Sequence, residues 1–241
     1  MHAPQVEPSR TRTASGPGTC LWVTGAPGTG KTTFVKEHIM GAKEGIVNLE
    51  DWPVSKEGSR TQLVYHEKWD GCVQIAGVYT FPSDDRFPIR RRGTSPANGG
   101  TDVLQPQCRG LLAQLLRGEL GTAYAHTGMG PAAVVIEACS KAKVGGPLVQ
   151  NAMLSAQRVV VLELTASQSV CVSRLRMRDH SSDGNGVSGV AEESVHARYA
   201  AEVCELKAAF LSRAEALGVS VEWHIGEASE LTSWIPECVR M

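Results

Sequence analysis

Apolar residues in this chain cluster in short unbroken runs, set apart by longer stretches with helical spacing. Cys20-Leu21-Trp22-Val23-Thr24 is such a run, cut off by Gly25, and it predicts a buried strand. A glycine-rich loop follows, then helical spacing from Thr32 to Met40, closed by Gly41. Gly45 to Leu49 predicts a second short strand, ending at Glu50-Asp51-Trp52-Pro53. Thr61 to His66 and Val73 to Thr80 flank the turn-forming Lys68-Trp69-Asp70-Gly71 and predict an antiparallel hairpin. From Phe81 to Gly100 the pattern dissolves into a long loop rich in Pro, Gly and Arg.

Periodicity returns at Gln107 to Leu116, where Leu111, Leu112, Leu115 and Leu116 give a helical stripe. Ala132 to Glu137 is a strand ending in an acid, and Arg158 to Leu164 is another. A helix is expected from Thr165 towards Asp179, then a Ser/Gly loop from Ser181 to Gly189. Glu192 to Leu217 is the longest helical pattern, stopped by Gly218, and Val219 to Ile225 predicts the last strand before a short helix. Strands alternating with helices imply βαβ units and a mainly parallel sheet. Such sheets take ligands at the carboxyl ends of their strands. The expected layout is a tail over residues 1–19 and one α/β domain over 20–241, with the hairpin and Arg-rich loop at 61–100 as an insertion.

Composition narrows this without redirecting it. The 241 residues are 42% hydrophobic and 20% charged, an ordinary globular balance, and the net charge of −1 advertises no polyanion partner for the molecule as a whole. Cys20, Cys72, Cys108, Cys139, Cys171, Cys204 and Cys238 are spaced by more than thirty residues, so no pair has metal-ligand spacing. Unpaired thiols of a reducing cytoplasm are the expectation. No run approaches the roughly 20 apolar residues that cross a bilayer. The segment from Met1 to Thr19, with Pro4, Pro8, Pro17, Arg10 and Arg12, lacks a signal peptide's apolar core and predicts a disordered tail.

Candidate chemistry begins at Gly25-Ala26-Pro27-Gly28-Thr29-Gly30-Lys31-Thr32, a full match to G-x-x-x-x-G-K-[ST] between a strand and a helix. Glycines let the backbone approach phosphates closely, and loop N–H groups with the helix's positive end cradle the anion. Lys31 is expected on the β- and γ-phosphates and Thr32 on Mg²⁺, with Thr33 completing the contact set. The ligand expected is ATP with Mg²⁺.

The guanine-reading Asn-Lys-x-Asp of a GTPase does not occur, and Asp183-Gly184-Asn185-Gly186 has no strand before it. A small kinase needs a metal-side acid, an acceptor-side base and arginines over the phosphates. Glu137 is the metal-side candidate, by its place at a strand end. Arg174 and Arg178, four apart on one helix face, are candidates for neutralising the transferring phosphoryl, with Arg176 pointing elsewhere. For the base, Asp102 competes with Glu50 and Asp51. Arg86, Arg90, Arg91 and Arg92, interleaved with Phe81 and Phe87, fit either a nucleic-acid strand or a solvated loop.

The hairpin ending Ala76-Gly77-Val78-Tyr79, then Gly100-Thr101-Asp102-Val103-Leu104, Val135-Ile136-Glu137 and the Arg174–Arg178 segment follow the phosphate loop in order. In this the chain resembles the bacteriophage kinases that phosphorylate 5-hydroxymethyluracil in DNA, a step in DNA hypermodification. The resemblance spans about Leu21 to Arg178 and is loose outside the loop. It implies a small-kinase-like P-loop NTPase fold, a three-layer sandwich with a β-hairpin insertion. It also implies Asp102 as the acceptor-side acid, a hydroxymethylated pyrimidine in DNA as partner, and the host cytoplasm of a phage gene product as location. Two departures stand out: Glu137-Ala138-Cys139 where family members often read Glu-Gly-Asp, and the long arginine loop before Gly100. A kinase of a free nucleoside or small metabolite, a partner-stimulated ATPase, and a nucleotide-binding module without turnover remain open alternatives.

Overall fold

The computed structural model describes residues 18–40, 46–48, 62–66, 71–76, 133–138, 144–180 and 189–239. Its strands are β1 (Thr19–Thr24), β2 (Ile46–Asn48), β3 (Gln62–His66), β4 (Gly71–Ala76), β5 (Ala133–Glu137), β6 (Arg158–Leu164) and β7 (Val221–Gly226). Its helices are α1 (Lys31–Phe34), which widens into a π-helical segment over Val35–Met40, α2 (Pro147–Met153), α3 (Gln168–His180), α4 (Gly189–Ala216) and α5 (Ala228–Leu231). Short 3₁₀ turns at Thr232–Trp234 and Glu237–Val239 follow.

The strands form one sheet in the order β2-β3-β4-β5-β1-β6-β7. From β4 to β7 every neighbouring pair is parallel, while β2-β3 and β3-β4 are antiparallel. The expected α/β architecture with a mainly parallel sheet and a hairpin is present. β1, at the centre, pairs Trp22 with Ile136 on one side and Val161 on the other. Buried on both faces, β1 and β5 read as continuous apolar runs rather than alternating ones.

Alternate residues of the central strands feed two cores. Trp22, Ile136 and Val161 join Leu206, Phe210 and Ala214 of α4 and Val149 and Met153 of α2. Leu21, Val23, Val135 and Val160 join Phe34, Val35 and Ile39, with Leu231, Ile235 and Val239 from the C-terminal turns. Helical layers thus cover both faces of the sheet. The buried spacing of Phe34, Val35 and Ile39 suits the wider π turn, so the single α-helix expected from Thr32 to Met40 changes pitch after one turn.

Element boundaries differ from expectation where polar residues take part in regular structure. Thr19, assigned from sequence to the tail, pairs with Ala133 and Arg158 and is buried. A polar residue at a strand end leaves no apolar signal. α3 starts at Gln168 rather than Thr165, because Ser167 caps it: its hydroxyl accepts from the Val170 N–H at 3.4 Å. α4 starts at Gly189 rather than Glu192 and ends at Ala216, one residue short of the expected Leu217; Gly218 follows at φ +64°, and Val219 N–H donates to Ala214 O at 2.8 Å. α2, with Pro147 at its first position, is an element the sequence pattern does not announce. No helix among the described residues is long and apolar enough to cross a membrane.

The expected helix at Gln107–Leu116, the loops at 81–100 and 181–188, and residues 1–17 lie outside the described residues.

Candidate functional site

The carboxyl ends of the parallel strands share one edge of the sheet, formed by Thr24, Ala76, Glu137, Leu164 and Gly226. Gly25–Gly30 leaves that edge from the central strand and turns into α1. The path requires glycine: φ is +132° at Gly25, +86° at Gly28 and +94° at Gly30. At Gly25 a Cβ would also lie 2.3 Å from the Leu164 carbonyl oxygen, so β6 backs the start of the loop.

The loop's polar groups turn inward on it. Lys31 Nζ donates to the carbonyl oxygens of Gly25 and Ala26, each at 2.9 Å. Thr29 Oγ1 donates to Ala26 O at 2.9 Å, and its own N–H reaches the same oxygen at 3.3 Å. Gly30 caps α1 without a side-chain hydrogen bond. Ala26 and Pro27 are partly buried, Gly28 and Thr29 are buried, and Thr33 is exposed.

Thr32 Oγ1 donates to Glu137 Oε1 at 2.7 Å, joining residues 105 positions apart in sequence. The contact follows from the register: β5 lies directly beside β1, Val23 pairs with Glu137, and Ala138 N–H donates to Val23 O at 3.1 Å. Glu137 is only 4% exposed, a carboxylate held at the mouth of an apolar strand. A hydroxyl and a carboxylate side by side fit a hard divalent cation that takes its other ligands from phosphates and water. The donor set therefore suits a nucleotide-bound Mg²⁺. No cluster of three or more His, Cys, Asp or Glu able to hold a metal occurs among the described residues.

Arg174 also meets the loop. Its Nη1 donates to Gly28 O at 3.0 Å. Lys31, Thr32, Glu137 and Arg174, all singled out from sequence, thus come together at one place, although Arg174 touches a loop carbonyl rather than open space. The side chain of Arg178, together with Asp102, Glu50, Asp51 and the Arg86–Arg92 run, lies outside the described residues.

Two residues at the site escaped sequence reasoning. Lys36 lies one turn after Thr32; burial lowers its pKa, and the Glu137 carboxylate opposes that shift. Its spacing from Thr32 was the available signal. Cys171, on α3, lies behind Gly28, and burial raises its thiol pKa while Arg174 and Lys31 pull the other way. Its side chain is fully buried beneath the loop. Glu163, at the end of β6, takes no part: it accepts from Trp223 Nε1 at 2.8 Å and sits 3.8 Å from Lys207, on the α4 side of the sheet.

No family model, curated protein or solved structure matches this chain. The functional reading therefore rests on the site.

Proposed function

We propose that this chain is a P-loop kinase that binds MgATP and transfers its γ-phosphoryl group to a hydroxyl. The observation that carries this reading is the 2.7 Å bond from Thr32 to Glu137, which joins the end of the phosphate loop to the one strand-end carboxylate beside it among the described residues. A glycine-rich turn serving structure alone would have no need of a buried acid at that point.

In this mechanism the loop amides and the start of α1 hold the phosphates, and Lys31 leaves the Gly25 and Ala26 carbonyls to reach the β- and γ-oxygens. Thr32 and Glu137 would hold a divalent cation, which would supply positive charge beside the phosphates. Asp102 is the base in this reading. The acceptor is the hydroxymethyl group of 5-hydroxymethyluracil in DNA, as the resemblance implies.

The test offers γ-labelled ATP and Mg²⁺ with hydroxymethyluracil-containing DNA, ordinary DNA or free nucleosides. Label in the modified DNA alone is expected. Label in nucleosides only would move the acceptor, and phosphate release with no labelled acceptor would make the protein an ATPase. Lys31→Ala should abolish transfer.

A further inference from the structure

The outer bend of the phosphate loop rests on the first turns of α3. Gly28 lies so close to Cys171 that an added Cβ would stand 2.5 Å from the Cys171 carbonyl oxygen and 2.7 Å from its Cα. One turn along the same helix face, Arg174 donates from Nη1 to Gly28 O at 3.0 Å. The same nitrogen would lie 3.5 Å from a Cβ on Gly30. One guanidinium end thus spans the two glycines whose φ values are +86° and +94°.

A loop with several glycines loses much conformational freedom when it is held in one shape. Carbonyl and amide of one trans peptide lie in a common plane. Holding Gly28 O therefore sets the Gly28–Thr29 peptide plane, and with it the direction of the Thr29 N–H. Arginine is well suited to such a hold, because it stays charged at every working pH and its fork is stiffer than a lysine stem.

We propose that Arg174 is a positioning residue for the phosphate loop, holding its Gly28 bend in place before any nucleotide arrives, so that an anion has only to displace the long 3.3 Å bond from Thr29 N–H to Ala26 O. This role differs from charge stabilisation on a transferring phosphoryl group, which matters only during the reaction. The affinity part of the inference rests on the nucleotide reading of the loop; the ordering part does not.

Two measurements on the full chain test it. In ligand-free protein, Arg174→Ala should speed amide exchange across residues 25–32 about tenfold, the equivalent of losing one charge-assisted hydrogen bond. Exchange in β1 and β6 should not change, which checks that the variant is folded. Arg174→Lys, which keeps a donor, should recover part of the protection. By calorimetry without acceptor, MgATP should bind Arg174→Ala about tenfold more weakly. Unchanged loop exchange in the ligand-free variant would overturn the proposal, whatever happens to turnover. Should the unsubstituted protein fail to bind MgATP, the kinase reading falls, and the exchange measurement still decides the role of Arg174.

Discussion

Trp22 and Gly25 belong to the same stretch of chain, yet their surroundings follow opposite rules. Around Trp22, β1 is packed to completion. The ring lies 5.3 Å from Phe210 and 5.6 Å from Trp223, both edge-on, and its Nε1 donates to Ala138 O at 2.9 Å. Cys20 beside it is so thoroughly desolvated that its thiol pKa rises to about 12. At the end of the strand the pattern reverses. Among the described residues Thr24 Oγ1 is buried without a hydrogen-bond partner and Lys31 is bonded only to the loop's own carbonyls, and Gly25 has a positive φ. Buried polar groups without good protein partners are unfavourable to folding. The body of β1 stabilises the fold, and its end gives up part of that stability, as the proposed anion-binding role would require.

The largest effect that would test this division is in the body. Phe210→Ala should lower unfolding free energy by about 3–5 kcal/mol in denaturant titrations. MgATP affinity of the folded fraction should stay within about twofold, since the ring packs in the core away from the loop. A parallel fall in affinity would mean that body and end are not separable.

Next comes the mirror experiment at the loop. Lys31→Ala should weaken MgATP binding by about a hundredfold, as expected for losing charge-assisted bonds to phosphate, while thermal stability hardly changes. A smaller, opposite effect is expected at Thr24. Thr24→Val keeps the shape and removes the unpaired hydroxyl, so the protein should gain about 1 kcal/mol. A loss of stability instead would show that the hydroxyl is not idle.

The smallest effect lies at the sheet edge, where neither rule applies strongly. Glu222 has a lowered pKa, first because Arg158 donates to it at 2.6 and 2.8 Å, then through the charges of Arg158 and His224, with burial opposing. Because the folded pKa is depressed, its stabilisation is present above the ordinary value of 4.5 and fades as pH falls through the folded value. Both side chains are more than a third exposed, at 48% and 39%, so solvent screening limits the pair to about 0.5 kcal/mol. Glu222→Gln should therefore flatten the acid limb of the stability profile slightly and leave neutral stability almost unchanged.

Legibility in the sequence follows the same division. β6 is readable to the residue, because its buried stretch Val159–Leu162 is an unbroken apolar run. The glycine-rich turn after β1 is equally plain, because Gly25, Gly28 and Gly30 answer a local backbone demand. α2 is not, since its seven residues are too short for a periodic pattern to emerge. The start of α3 is obscured, since Ser167 ends the loop by a cap rather than by hydrophobicity. Lys36 goes unnoticed because its significance lies in Glu137, far away in sequence.

By itself the sequence determined the strand–loop–helix unit, the motif within it and the alternation that makes an α/β sheet, since each depends on neighbours a few residues apart. Only the tertiary structure decided the strand order that lays β5 against β1, and with it the bond from Thr32 to Glu137. It also decided that Arg174 meets Gly28, across 146 residues of chain. Contacts of that kind come from packing two faces of one sheet, and no local pattern encodes which distant residues the packing brings together.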